Sequence, residues 1–333
     1  MPTTRRTALL GAAMTALYPL RHAAAAEFSY KCATDLPLSH PASQRLQAAC
    51  DKISAQSGGR VAIQVFPANQ LGSDTDALGQ ARSGAIEFLL LPGLIISTLV
   101  PAASMNCVAF AFGDYPSVWK AMDGELGNFI RGQIAKAGLV PMQRIWDNGF
   151  RQITSSAKQV SSPESLEGFK LRVPASPLWT SAFKSLGASP VTINFNEVYT
   201  ALQTHVADGQ ENPLAVIETT KLYEVQRYCA LTNHIWDGFW FVANGKVWES
   251  LPADLRTIVA RNMDEAALLE RADLEALNMR VREQLTARGM VFNTPSIAPF
   301  RARLAKAGFY KEWAGKYGDE AWAVLERSVG KLG

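Results

Sequence analysis

The sequence has few of the residues and motifs on which catalysis and cofactor binding usually depend. Its 333 residues include only four histidines and four cysteines. It contains no HExxH pair for zinc, no GxSxG turn for a nucleophilic serine, and neither GxGxxG nor GxxxxGK[ST] for phosphates. We therefore predict no enzyme activity, no cofactor and no metal site. A fold can still unite catalytic residues from distant positions, so a hydrolase remains an unsupported alternative.

A long hydrophobic run is also missing. The apolar stretch at 8–20 is shorter than the ~20 residues that a membrane-spanning helix needs. It follows Arg5 and Arg6 and precedes four alanines at 23–26, an order of charge, apolar residues and small residues that is typical of an export signal. We predict a signal peptide over 1–26 and a periplasmic location. The paired arginines leave both the twin-arginine route and the general secretory route open.

The chain lacks a strong excess of charge of either sign. Removal of residues 1–26 takes away three arginines and no acidic residue, so 33 basic against 30 acidic residues becomes 30 against 30 (33 − 3 = 30). No cluster of lysine and arginine has the density that nucleic acids or anionic membranes demand. We therefore expect neither partner, no direct insertion into a membrane, and a monomer.

The four cysteines are widely spaced, which fits neither a dense disulfide scaffold nor a zinc site. Small buried side chains are the favoured interpretation, and the spacing leaves disulfides open. The cysteines are Cys32, Cys50, Cys107 and Cys229.

Strand and helix patterns alternate from the start of the mature chain. Alternating or continuous apolar residues predict strands, and apolar residues at helical spacing predict helices between them. This βαβαβ order predicts an α/β fold, and about 307 residues (333 − 26) are enough for two lobes. The predicted strands lie at 28–33, 61–65 and 86–91, and the helices at 41–57 and 74–83.

A later strand is predicted at 169–173, where apolar and basic residues alternate until Pro174 ends the strand. Arg172 therefore lies at the carboxyl end of a strand, the edge of an open α/β sheet where ligands bind. Its planar guanidinium matches a carboxylate, and nearby aromatic side chains would exclude water. Taken alone, an arginine is more often a solvated surface charge, so the residues themselves leave both interpretations open.

The longest helical pattern runs over 252–288, with Pro252 at its first turn and Gly289 just after its end. Such a helix would be about 55 Å long, which exceeds the width of one lobe. We predict that it spans both lobes. Two helices with an unmarked break are the alternative.

Four ordered segments carry a family signature. They are NGFRQITSS (148–156), SLEGFKLRVP (165–174), LGASPVTINFNEVYTALQTHVADGQENP (186–213) and KLYEVQRYCALTNH (221–234). With SGGRVAIQVFPANQLG (57–72) and ARSGAIEFLL (81–90), they make the chain from 28 to 330 resemble the substrate-binding proteins of tripartite ATP-independent periplasmic (TRAP) transporters, the DctP family.

The resemblance implies a two-lobed periplasmic binding protein with a ligand cleft between the lobes and a long spine helix. We place lobe I at 27–146 plus 239–278 and lobe II at 147–238 plus 279–333. The resemblance also implies that the protein captures a small organic acid and delivers it to the membrane permease subunits of a TRAP transporter. A ligand-sensing extracytoplasmic module is an alternative role for the same fold.

The resemblance also implies the roles of individual residues. Arg172 matches the selectivity arginine of the G-x-K-[LI]-R-V-P motif, which would form a bidentate pair with the ligand carboxylate. Arg151 matches the second arginine, in G-x-R-Q-x-T. Asn212, in DGQENP, is expected to hydrogen-bond the carboxylate or an adjacent hydroxyl, and Phe195 to form a wall. Asp74 occupies a position from which family members reach polar ligand groups.

Two further residues complete the predicted site, namely Thr34 at the end of the first strand and Trp236 as part of the apolar wall. Residues 91–95 read LPGLI where the polyhydroxylated-acid binders of the family have a charged pair. An unpaired hydroxyl there would cost about 1–3 kcal/mol. The favoured ligand is therefore a monocarboxylate with an apolar or aromatic body, such as a hydroxy- or keto-acid. The alternatives are a C4-dicarboxylate, whose other end Arg151 would bind, and a sugar acid.

Overall fold

The computed structural model describes residues 26–333, so the signal peptide predicted over 1–26 lies outside the described residues except for Ala26. Within this range we find no helix with the length and hydrophobicity of a membrane span.

The strands of the described chain form one mixed sheet. They are β1 (Phe28–Thr34), β2 (Val61–Phe66), β3 (Phe88–Pro92), β4 (Leu139–Pro141), β5 (Trp146–Ser155), β6 (Lys170–Val173), β7 (Ser189–Thr192), β8 (Gly209–Pro213), β9 (Tyr228–Ala230), β10 (Trp236–Asn244) and β11 (Val291–Asn293). Their order is β2-β1-β3-β10-β5-β8-β6-β7, with β4 beside β10 and with β9 between β5 and β11.

The α-helices cover the faces and ends of this sheet. They are α1 (Pro41–Gln56), α2 (Asp74–Ser83), α3 (Gly93–Ile96), α4 (Tyr115–Met122), α5 (Glu125–Lys136), α6 (Pro177–Ser185), α7 (Val198–Gln203), α8 (Leu214–Thr219), α9 (Gly245–Ser250), α10 (Ala253–Ala287), α11 (Ala298–Lys306), α12 (Phe309–Tyr317) and α13 (Asp319–Val329).

The helices and strands predicted in the first half of the chain are confirmed, and each of their ends lies within one or two residues of the predicted position. The helix predicted at 74–83 has these bounds, because a capping box at Ser73 starts it and Gly84, with φ 85°, ends it. The apolar run at 86–91 enters the sheet only at Phe88, since the chain after Gly84 bends before it pairs. Periodicity and end signals were therefore sufficient for these elements.

Two groups of parallel strands make up the sheet, and two long antiparallel strands join them. β2, β1 and β3 are mutually parallel, as are β7, β6 and β8. Between the groups, β10 is antiparallel to β3 and β5 is antiparallel to β8. This arrangement is the predicted two-lobed α/β fold, in which the chain crosses between lobes on β5 and β10. The lobe boundaries at particular residues stay a prediction.

The helix predicted at 252–288 is one continuous helix, α10. Its first half buries apolar residues against α1 and the β1 side of the sheet, including Leu255, Val259 and Met263. Its second half buries others, including Leu274 and Val281, in a cluster with α7 and α8. Because each half packs on a different core, α10 is the predicted spine that spans both lobes.

The cysteines confirm the interpretation drawn from their spacing. All four are free thiols and all four are buried, with at most 2% of each residue exposed. They fill space in the cores, as small hydrophobic side chains do.

The junction between β5 and β10 has a close contact that only glycine allows. Pairing of the two strands shifts between Asp237 and Gly238. A Cβ atom at Gly238 would lie 2.7 Å from the ring of Trp236 and 2.9 Å from the carbonyl oxygen of Trp146. Both strands would have to move apart to accept it.

We predict that Gly238→Ala lowers the free energy of unfolding by about 1–3 kcal/mol, the usual cost of overpacking a core. Gly132→Ala is the matched control, because Gly132 lies exposed on α5 with no atom within 4 Å of the added Cβ. It should raise stability by up to about 1 kcal/mol through helix propensity. Denaturant unfolding of both variants measures the difference, and equal effects would contradict the close-contact argument.

Candidate functional site

A cavity lies where the two parallel groups meet, at the carboxyl ends of β1, β3, β6 and β8. This is the edge of an open α/β sheet at which ligands bind. The cavity encloses about 320 Å³ of empty space. Its walls are Asp35, Leu36, Asp74, Pro92, Leu94, Ile95, Asn148, Arg151, Arg172, Pro174, Phe195, Asn212, Val216 and Phe239.

Arg172 projects from β6 into this cavity and is 1% exposed. Its Nε and Nη2 atoms donate to the carbonyl oxygen of Ile193 at 2.9 and 2.7 Å, and the ring of Phe195 lies 5.9 Å from its guanidinium carbon. It forms no ion pair with any carboxylate in residues 26–333. Burial lowers the pKa of Arg172 to about 10. A positive charge that is buried without a counterion favours the binding of an anion.

Arg151, on β5, also reaches the cavity, but its charge is already neutralised. Its Nε and Nη2 atoms form a bidentate pair with the Glu211 carboxylate at 2.6 and 2.8 Å. Nη2 also donates to Asn212 Oδ1 at 3.0 Å, and Nη1 donates to Asp237 Oδ2 at 3.3 Å. A guanidinium has five N–H donors, so at most one of these is left for a ligand.

The two carboxylates around Arg151 differ in pKa. Although burial raises the pKa of Glu211, Arg151 and a 3.1 Å hydrogen bond with His234 lower it to about 2. Burial raises the pKa of Asp237 to about 6, although Arg151 opposes the shift. Thr232 hydrogen-bonds the other ring nitrogen of His234 at 2.7 Å and holds the imidazole in place. In residues 26–333, no group of three or more His, Cys, Asp or Glu residues could hold a metal ion.

Oxygen acceptors face the cavity from three residues. Asp74 has both oxygens engaged, because Oδ1 accepts from Asn69 Nδ2 at 2.7 Å and Oδ2 from the backbone N–H of Phe195 at 3.2 Å. Asp35 Oδ1 and Asn148 Oδ1 are buried and have no hydrogen-bond partner anywhere in residues 26–333. The cavity therefore contains one unpaired cation and two unpaired acceptors.

Five of the seven predicted site residues line this one cavity, namely Arg172, Arg151, Asn212, Phe195 and Asp74. Sequence reasoning missed Asp35 and Asn148. The signal for Asp35 was its place immediately after β1, and the signal for Asn148 was its place in the NGFRQ motif.

The structure does not place the other two predicted residues, Thr34 and Trp236, at the cavity. Thr34 is buried at the end of β1, where its hydroxyl accepts from the N–H of Leu36 at 3.4 Å. Trp236 donates to Asp147 Oδ1 at 2.9 Å and packs edge-on against Trp119. The strand end at Thr34 was predicted correctly, but the direction in which each of the two side chains points depends on its packing against neighbours. A ligand role for either residue stays a prediction without structural support.

The apolar wall that was expected from residues 91–95 is present, but Leu91 is not part of it. Pro92, Leu94 and Ile95 line the cavity, together with Phe239 and Val216. Leu91 instead packs in the core beneath the sheet.

Comparisons with known proteins show the family of this chain. A model of the bacterial extracellular solute-binding proteins of family 7, the DctP family, matches residues 32–314. The C4-dicarboxylate-binding periplasmic protein DctP of Rhodobacter capsulatus is 32% identical, over 72% of this chain and 71% of that protein.

Solved structures share the fold over nearly the whole described chain. A TRAP periplasmic solute-binding protein from Roseobacter denitrificans, with bound β-D-glucuronate, superposes with a TM-score of 0.86 at 28% identity, covering 92% of this chain and 100% of that one. A second, from Ralstonia eutropha H16 with bound (S)-2-acetolactate, gives 0.85 at 28% identity, with coverages of 90% and 98%.

We predict that Glu211→Gln lowers the free energy of unfolding at pH 7 by about 3–5 kcal/mol, because it leaves the buried Arg151 charge without its main partner. The folded-state pKa of Glu211, about 2, lies below its usual 4.5. Its contribution is therefore full above pH 4.5 and is lost as the pH falls toward 2. Denaturant unfolding from pH 7 to 2 should show the wild-type advantage shrinking over that range.

Glu275→Gln is the matched control, since Glu275 is exposed on α10. It should change stability by less than about 0.5 kcal/mol at any of these pH values. A difference between wild type and Glu211→Gln that stayed constant down to pH 2 would contradict the ionised state assigned to Glu211.

Proposed function

The chain belongs to the bacterial extracellular solute-binding proteins of family 7, and we propose that it captures a small monocarboxylate in the periplasm and delivers it to the membrane permease of a TRAP transporter. The family and the structural neighbours are solute-binding proteins, not enzymes. This agrees with the absence of catalytic motifs in the sequence. Export by the signal peptide at 1–26 is part of the proposal.

Arg172 is the observation that carries the proposal. It is the buried cation of the cavity that has no ion-pair partner in the described chain, and it lines the cavity with donors beyond those that Ile193 accepts. A ligand carboxylate would neutralise the guanidinium and accept charge-assisted hydrogen bonds from it. Asn212, whose side chain is held by Arg151 and Gln210, would donate to the same carboxylate.

The rest of the ligand would lie against the apolar wall of Pro92, Leu94, Ile95, Val216 and Phe239. Ligand pockets are mostly apolar and contain a few polar groups that fix the ligand's orientation, and this wall beside Arg172 and Asn212 has that character. A monocarboxylate with a short apolar body, or a single aromatic ring, matches these walls. The (S)-2-acetolactate in the Ralstonia eutropha protein is also a small monocarboxylate.

A C4-dicarboxylate is the second candidate, because the Rhodobacter capsulatus relative is named as a C4-dicarboxylate-binding protein. It requires a second cation, and Arg151 is the residue that the sequence offered for this role. The pairing of Arg151 with Glu211 and Asp237 leaves it at most one free donor and no unbalanced charge. We therefore favour a single carboxylate.

We predict that Arg172→Ala abolishes the rise in melting temperature that organic acids produce in wild type. Removal of one partner from a desolvated charge pair costs about 2–5 kcal/mol of binding energy. A thermal-shift screen of C3 to C8 carboxylic acids, followed by calorimetric titration of the hits, measures the effect. Arg301→Ala is the control, because Arg301 is exposed on α11. Unchanged affinity in Arg172→Ala would refute the proposed pairing of Arg172 with the ligand carboxylate.

We also predict that 2-hydroxybutyrate binds at least about tenfold more tightly than malate. The two acids share a carbon skeleton and a hydroxyl, and malate differs in having a carboxylate in place of the methyl group. That carboxylate would be buried near Asp35 and Asp74 or against the apolar wall, without a cation. Titration calorimetry at pH 7 compares them directly, and tighter binding of malate would favour the dicarboxylate alternative.

A further inference from the structure

We infer that Asp35 is a specificity-determining residue, and that it accepts a hydrogen bond from a hydroxyl group carried by the bound acid. The inference deepens the proposed function, on which it rests. This hydrogen bond would distinguish hydroxy acids from keto acids and from unsubstituted acids. The apolar wall and Arg172 do not make that distinction.

Asp35 follows β1 directly and is only 7% exposed, yet its carboxyl group lines the ligand cavity. Within residues 26–333 its Oδ1 atom has no hydrogen-bond partner. Asn69 Nδ2 and the backbone N–H of Phe195 donate to Asp74 and not to Asp35. A buried acceptor without a partner is destabilising, so a donor that arrives with the ligand is strongly favoured.

Asn148, on β5, points to the same ligand chemistry. Asn148 lines the cavity, and its Nδ2 donates to Asp237 Oδ2 at 3.1 Å, so Oδ1 is the side-chain atom left to accept a hydrogen bond. That oxygen is also buried and unpartnered in the described chain. Two acceptors from different parts of the chain therefore line the cavity that contains the Arg172 cation. Oxygen atoms of a ketone or of a second carboxylate have no proton to donate to them, whereas a hydroxyl has one.

The surroundings of Asp35 disfavour its ionised form. Burial raises the pKa of Asp35 well above its usual range, and the charge of Asp74 adds to the shift. A hydroxyl that donates to the carboxylate stabilises its ionised form and offsets part of the desolvation. An ammonium group would do the same, so an amino acid must be among the test ligands.

The experiment compares acids that share a carbon skeleton. The first set is lactate, propionate, pyruvate and alanine, and the second is 2-hydroxyisovalerate, isovalerate, 2-oxoisovalerate and valine. Titration calorimetry uses wild type, Asp35→Ala, Asp35→Asn and the control Asp51→Ala, in which an exposed carboxylate of α1 is removed. Melting temperatures of the unliganded variants confirm that each is folded.

We expect wild type and Asp51→Ala to bind the hydroxy acid of at least one set about 10- to 100-fold more tightly than its unsubstituted and oxo forms, the cost of an unpaired buried acceptor. Asp35→Ala should lose most of this preference without binding the unsubstituted acid less tightly. Asp35→Asn introduces an amide donor, so it should narrow the difference between the hydroxy and oxo acids. A residue with only a structural role would weaken all the acids equally.

Equal binding of hydroxy and unsubstituted acids by wild type would overturn the inference, as would an unchanged preference in Asp35→Ala. Tightest binding of alanine or valine would overturn it in favour of an ammonium group. Each of these outcomes leaves the proposed pairing of Arg172 with the ligand carboxylate intact. Failure of the proposed function has a different signature, in which none of the screened acids binds or Arg172→Ala binds them as wild type does.

Discussion

Arg151 lies in the middle of the sheet, where its guanidinium joins three adjacent strands. It belongs to β5, and its partners Glu211 and Asp237 belong to β8 and β10, on either side. Of these three, β5 and β10 are the strands on which the chain passes between the two parallel groups. Because all three charges are buried, each is tolerated only while the others are in place. The cluster therefore fixes the relative positions of the strands that carry the ligand cavity.

The same cluster explains why two arginines in one cavity have different roles. Arg151 is saturated by protein groups, so it supports the site and holds Asn212 in position. Arg172 donates to the carbonyl oxygen of Ile193, lies beside the ring of Phe195 and forms no salt bridge within residues 26–333, so we propose that its charge is left for a ligand. The cavity combines this cation with two oxygen acceptors that have no partner in the described chain and with an apolar wall. In the proposed function, specificity follows when one small molecule matches all three.

Sequence patterns predicted the helices and strands well where interactions between neighbouring residues decide their ends. The bounds of α2 follow from a capping box and a left-handed glycine, and α10 is continuous because no proline or glycine interrupts its interior. Patterns failed where side-chain direction matters. Thr34 and Asp35 are adjacent at the end of β1, and only the packing around them decides that Asp35 and not Thr34 lines the cavity.

The sequence by itself determined the α/β class, the spine helix, the family, and five of the residues that line the cavity, because these depend on periodicity, helix caps and ordered motifs. Only the tertiary structure decided which buried polar and charged groups of the cavity have partners. That Arg151 is neutralised, that Arg172 is not, and that Asp35 and Asn148 have unpaired oxygens are results of contacts between residues far apart in the chain. Hydrogen-bond partners and burial are properties of those contacts, and they set which ligand groups the cavity can stabilise.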